Sequence, residues 1–233
     1  MPLVTTPMYA VIFLMIVDRA GRTDLTPYAV VAPVLVALWT MSIFVSGEVI
    51  DADRAFGVFE AAVATPASFP VAVFGRVFAV TVVALLSLAE VWLVARLVFG
   101  VSVAVHHPLV FGLTLAATAV ATSGTAVIMA SLCVAARNIR SFQNSLTYPF
   151  YVLGGVLVPV SFLPDGLEAL SAAVFLSWSA DLLRDCLAPA AVEDAALRLG
   201  VVLVLGAASF AIGAALVVRM LRRVRASGSV GLA

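Results

Sequence analysis

The chain has 233 residues, 64 % of them hydrophobic and only 11 % charged, and its formal net charge is zero. With a mean hydropathy of +1.17, a soluble domain is excluded, because so few polar side chains cannot clothe a water-facing surface. No basic surface is available for phosphate neutralisation, which excludes nucleic acid as a partner.

All 13 basic residues are arginine. A P-loop needs a lysine to reach the β- and γ-phosphates, so the chain carries no such ATPase site, and a lysine Schiff base is equally excluded. The lysine-free, alanine- and arginine-rich usage fits a high-GC bacterial genome.

Apolar runs occupy about residues 3–17, 28–46, 77–99, 108–136, 146–163 and 199–218. Peptide groups find no water inside a bilayer, so these runs predict six transmembrane helices in a single all-α domain over 1–233. The first run is short, holds Pro7, and lacks the basic n-region and cleavage motif of a signal peptide. The third contains Glu90, the one carboxylate inside a span. It is a candidate for substrate cations or proton exchange, or a structural acid near enough to the interface to hydrate. On the fourth, Thr114, Thr118 and Thr122 form an i, i+4, i+8 hydroxyl stripe that either packs helix on helix or lines a path. Gly206 and Gly213 on the sixth mark sites of close helix packing.

Charge orients the spans. With both termini in the cytoplasm, inner segments 47–76, 137–144 and 219–233 hold eight arginines and the outer segments five. Outer segments carry eight acids, six of them in 165–194, against four inside. This is the positive-inside arrangement.

Two connecting segments carry further structure. In the inner segment 47–70, Phe56, Phe59 and Val63 recur at helical spacing with Asp53, Arg54 and Glu60 elsewhere on the wheel, predicting an amphipathic helix over 53–64. Pro66 and Pro70 follow it. In the outer segment 164–198, Leu167, Leu170, Val174 and Phe175 share one face. This predicts short interfacial or re-entrant helices at about 165–187.

The inner stretch "DRAFGVFEAAVATP" at 53–66 resembles the cytoplasmic signature of the ABC-2 family of exporter permeases, roughly E-R-x-x-G-T-x-E-x-L-x-x-T-P. Arg54, Gly57, Glu60, Thr65 and Pro66 fall on the pattern, and Asp53 stands for its glutamate. The stretch 137–164 looks like the family's fifth span, with Asn144, Pro149, Gly154, Pro159 and Pro164 in the order expected. "SADLLRDCL" at 179–187 resembles the D-x-L-R before the last span. The resemblance covers about residue 27 to the C-terminus.

It implies a permease subunit in the cytoplasmic membrane, both termini inside, working beside an ABC nucleotide-binding subunit that supplies ATP and Mg. A second permease, identical or closely related, completes the transporter. Helix 53–64 is then the coupling element: Phe56 and Phe59 enter a pocket of the ATPase while Arg54 and Glu60 set register at its rim. A branched side chain at Gly57 is expected to clash there. Glu90, the threonine stripe and the five residues of the fifth-span block are candidates for a path or gate. The substrate is expected to be a hydrophobic drug, a lipid or a lipid-linked glycan.

Two readings stand beside it: a haem-export permease of cytochrome maturation, and a non-transport membrane enzyme or assembly factor. Lipid chemistry would need clustered Asp, His and Glu at one membrane face. His106 and His107 at a span end lack a third ligand for a metal or partners for a triad. Cys133 and Cys186 lie on opposite sides of the predicted topology, and neither a disulfide nor a metal site is expected. The chain itself is expected to bind no cofactor and to catalyse no reaction alone.

Overall fold

Every regular element among the described residues is a helix, as apolar runs deprived of water require. The structure is a computed structural model and describes residues 2–21, 25–57, 69–101, 103–135 and 139–227. In chain order the helices are α1 (Pro2–Arg19), α2 (Thr26–Ala55), α3 (Phe69–Ala84), α4 (Ser87–Val98) and α5 (Pro108–Ala135). There follow α6 (Ile139–Leu153), a 3-10 turn (Val160–Phe162), α7 (Asp165–Ser171), α8 (Phe175–Asp185) and α9 (Ala195–Ser227).

Among the described residues, four stretches are long and apolar enough to cross a membrane: Thr26–Glu48, Pro70–Val98, Pro108–Leu132 and Ala195–Met220. Of the α2 and α5 windows 78 % is buried, against 28 % for α3–α4 and 22 % for α9. So α2 and α5 form the centre, and the other two lie outside it with aliphatic side chains such as Val83, Leu93, Leu97 and Val204 outward. These outward faces have the composition of a lipid-facing surface.

The α5–α9 seam is the closest in the fold. A Cβ on Gly206 would lie 2.6 Å from the Ala121 backbone, and one on Gly213 would lie 2.7 Å from the Ile128 nitrogen. Both glycines singled out by spacing therefore sit where backbones touch. Hydroxyls join α2, α3 and α5: Ser42 Oγ lies 2.5 Å from Thr81 Oγ1, and Ser123 Oγ donates to Thr81 over 3.3 Å. Buried Gln143 fixes α6 to α2 by donating to the Ile43 carbonyl at 2.7 Å.

The third and fifth spans differ from their expected bounds. The third helix begins at Phe69 and carries Arg76 within it; Leu85 and Leu86 then close tight i→i+3 turns between α3 and α4. The fifth stops at Leu153, not 163. Val156 N–H bonds the Tyr151 carbonyl at 3.0 Å, Gly155 N–H bonds Val152 at 3.1 Å, and Gly155 has φ +61°. This is a Schellman terminator, which a glycine at that position favours however apolar the following residues are.

The helix expected over 53–64 also differs. Residues 53–55 are the last turn of α2, and Gly57 with φ +68° departs from helical geometry. The expected uninterrupted helix over 53–64 is therefore broken at its fourth or fifth residue. Residues 58–68 lie outside the described part.

Candidate functional site

The site builds from α2 outward. At its far end the chain leaves the bundle at Phe56, whose ring is 81 % exposed. Asp53 and Arg54 precede it on the helix backbone. Phe59, Glu60, Thr65 and Pro66 lie outside the described residues. A Cβ at Gly57 would meet nothing within 4 Å. Within this chain, its left-handed backbone angle is what favours glycine there.

Along the bundle, α1, α2 and α6 enclose a cleft of about 190 Å³. Thr5, Thr6, Tyr9, Thr40, Asn144, Thr147, Tyr148 and Tyr151 supply its polar lining, and among the described residues no charged side chain lines it. Thr40 Oγ1 and the Tyr151 hydroxyl are 2.6 Å apart. Thr147 spends its hydroxyl on the Gln143 carbonyl at 2.7 Å. Tyr148 is 69 % exposed on the outer side of α6.

Of the residues offered as path or gate, Asn144 alone lines this cleft. Pro149 is exposed on α6, and Pro159 precedes the 3-10 turn. Pro164 starts α7, its carbonyl accepting from Leu167 and Glu168. Gly154 is a packing site: a Cβ there would lie 2.8 Å from that of Leu176 on α8. Thr114, Thr118 and Thr122 are buried, and each donates to the carbonyl four residues back at 2.6–2.8 Å. Their hydroxyls are used within α5, and the packing alternative fits them. Glu90 is half-exposed on α4, and no cationic side chain among the described residues pairs with it.

The end of the bundle where α1 stops and α2 starts holds Asp181 and Arg184, the D and R of the D-x-L-R stretch, to which the sequence pattern gave no role. Helix α8 buries eight of its 11 residues, among them Arg184, and packs on α2, α5 and α9. It does not lie on a surface, whereas Leu167 and Leu170 of α7 are exposed. Arg184 Nη1 donates to Asp181 at 3.1 Å, and Nη2 donates to the carbonyls of Gly155 and Val156. Its guanidinium carbon lies 3.9 Å from the Tyr28 ring centroid. Burial lowers the Arg184 pKa from its usual value and raises that of Asp181, each opposed by the other's charge. The signal was the Asp181–Arg184 spacing, which puts acid and base one helical turn apart. Nearby, His106 and His107 contact the Leu187 and Ala190 carbonyls, tying the α4–α5 connection to the end of α8.

Among the described residues no cluster of three or more His, Cys, Asp or Glu is placed to hold a metal ion. No curated protein and no solved structure matched the chain. The model of the ABC-2 type transporter family matches residues 1–187. That match takes in α1 as well as the two blocks of resemblance, and stops before α9. A polytopic helical membrane protein with this match over most of its length belongs to the ABC-2 type transporter family.

Proposed function

We propose that the chain is the permease subunit of an ATP-driven exporter, paired with a second permease and with two ATPase subunits on the cytoplasmic face. The observation that carries this reading is the exposed polar face of α6. Tyr148 and Asn144 are both exposed there. Hydrocarbon does not solvate such groups, so this face is covered by protein or lines water. The apolar faces of α3, α4 and α9 suit lipid instead. A second permease laid against α1 and α6 covers the polar face and places two clefts side by side along the dimer axis. Without lysine, the chain has to take its energy from a separate nucleotide-binding subunit, and Phe56 stands where such a subunit would dock.

Six crossings follow, with both termini in the cytoplasm and α8 on the outer side. The 15-residue α6 spans only about 22 Å of a ~30 Å core. The buried segment at Gly154–Val156 continues the crossing, since irregular backbone is tolerated at depth where protein surrounds it. A cleft rich in hydroxyls and free of charge suits an amphipathic substrate, whether drug, lipid or lipid-linked glycan.

The test is cross-linking in native membranes with the ATPase co-expressed. A single cysteine at Tyr148 is expected to join two permease copies, whereas one at Leu203 on α9 is not. Cross-linking at Leu203 and none at Tyr148 would overturn the arrangement.

A further inference from the structure

We propose that Arg184 is the positioning residue of an outer gate, latching α8 across the ends of α2 and α6 to close the cleft from outside. The proposal rests on the reading of that cleft as part of the export route. Its basis is a series of contacts among the same three helices, stacked in register. At the top of the cleft, Thr40 of α2 meets Tyr151 of α6 at 2.6 Å. Next, Trp39 of α2 stacks on Phe150 of α6 at 4.6 Å and faces Phe175 of α8 at 6.4 Å. Outermost, Arg184 of α8 covers Tyr28 of α2 and binds Gly155 and Val156 at the end of α6. Trp39 and Phe150 lie beside the Thr40–Tyr151 pair, one residue back on each helix, and the Arg184 contacts lie beyond both, at the start of α2 and the end of α6, which places Arg184 at one end of the cleft.

The chemistry suits a latch more than a permanent rivet. The α6 partners are carbonyls at a helix C-terminus, where the dipole attracts a cation. The α2 partner is a ring face. The carboxylate paired with it among the described residues, Asp181, sits three residues before Arg184 on the same helix and travels with it. When α8 moves, the ion pair moves whole, and no bare charge is stranded in α2 or α6. Arg184 Nε is buried with no partner, so the guanidinium is not saturated in this position. Lysine could not reproduce the contact, because it offers a point charge where a planar fork touches two carbonyls, a carboxylate and a ring at once.

The experiment uses the full chain with its ATPase in intact cells. Native cysteines are replaced, and a single reporter Thr40→Cys is exposed to an impermeant thiol reagent from outside. With Arg184 present, labelling without turnover is expected to be slow. Arg184→Gln and Arg184→Lys should each speed it at least about tenfold, as expected for losing hydrogen bonds from a charged donor. Tyr28→Leu, which leaves the guanidinium–carbonyl bonds in place, should speed it less. ATPase co-purification should be unchanged in all three, which a merely structural defect would not allow. If Arg184→Gln fails to insert, Arg184→Lys and Tyr28→Leu decide by the same criterion. Wild-type labelling rates in the variants that assemble overturn the latch. A separate arm addresses the route itself: reporter labelling in the unaltered gate should rise during ATP turnover. A flat response there refutes the route and leaves the Arg184 comparison standing.

Discussion

Alanine at Gly206 and alanine at Gly200 are the same chemical change on the same helix, and the structure assigns them opposite signs. At Gly206 the new Cβ would sit 2.6 Å from both Cα and Cβ of Ala121. Backbone cannot swing aside like a flexible side chain, so α5 and α9 must part by about 1 Å, and contacts along the seam lose a quarter to a half of their dispersion energy. Overpacking of this kind costs about 1–3 kcal/mol. At Gly200 nothing lies within 4 Å of the new Cβ, and alanine gains up to about 1 kcal/mol of helix propensity. For a chain of this size 1 kcal/mol moves the midpoint by about 2–4 °C. Thermal unfolding of the purified protein in detergent should therefore show Gly206→Ala lowered by several degrees and Gly200→Ala unchanged or raised. Equal midpoints would mean that the α5 and α9 backbones do not meet at Ala121.

Replacing both Phe56 and Phe59 by alanine should leave membrane insertion intact and release the ATPase. Each buried aromatic anchor carries about 2 kcal/mol, roughly thirty-fold in affinity, and pull-down scored beside export checks it. Gly57→Ala should weaken the same assembly through a left-handed backbone cost of about 1–2 kcal/mol, and a further increase in side-chain size should add little unless the partner is close. Single cysteines at Ser141 and Ser227 should be shielded from an impermeant reagent in intact cells, and one at Ala191 labelled. The native Cys186 will not confuse that assay: burial and the neighbouring Asp185 push its thiol up to about 11, so at pH 8 it stays protonated and unreactive.

Legibility followed what each residue's role depends on. Run length and charge bias are properties of composition, and they located the four long apolar helices. The spacing of Gly206 and Gly213 announced close packing, because small residues in a membrane helix have few other uses. Helix ends were harder. Apolar character continues from Val156 to Phe162, yet Gly155 stops α6, since hydropathy reports burial while one dihedral angle decides termination. Gly57 breaks an amphipathic periodicity that runs past it for the same reason. The threonine stripe pointed equally to a path and to packing, because whether a hydroxyl is spent on its own helix depends on a rotamer. Arg184 was visible as a charge but not as a hub. Beyond Asp181 on its own helix, its partners are two backbone carbonyls and a ring more than 25 positions away in sequence, and carbonyls leave no trace in a residue pattern.

If the chain is the permease of an ATP-driven exporter, it moves its cargo only when a separate subunit hydrolyses ATP. Proteoliposomes holding the permease alone, the cognate ATPase alone, or both can be scored for nucleotide hydrolysis and for ATP-driven movement of a fluorescent amphiphile. Transport is predicted only with both subunits present, no hydrolysis by the permease alone, and substrate-stimulated hydrolysis in the complex. Steady hydrolysis by the rigorously purified permease alone, or transport indifferent to the ATPase, would contradict it.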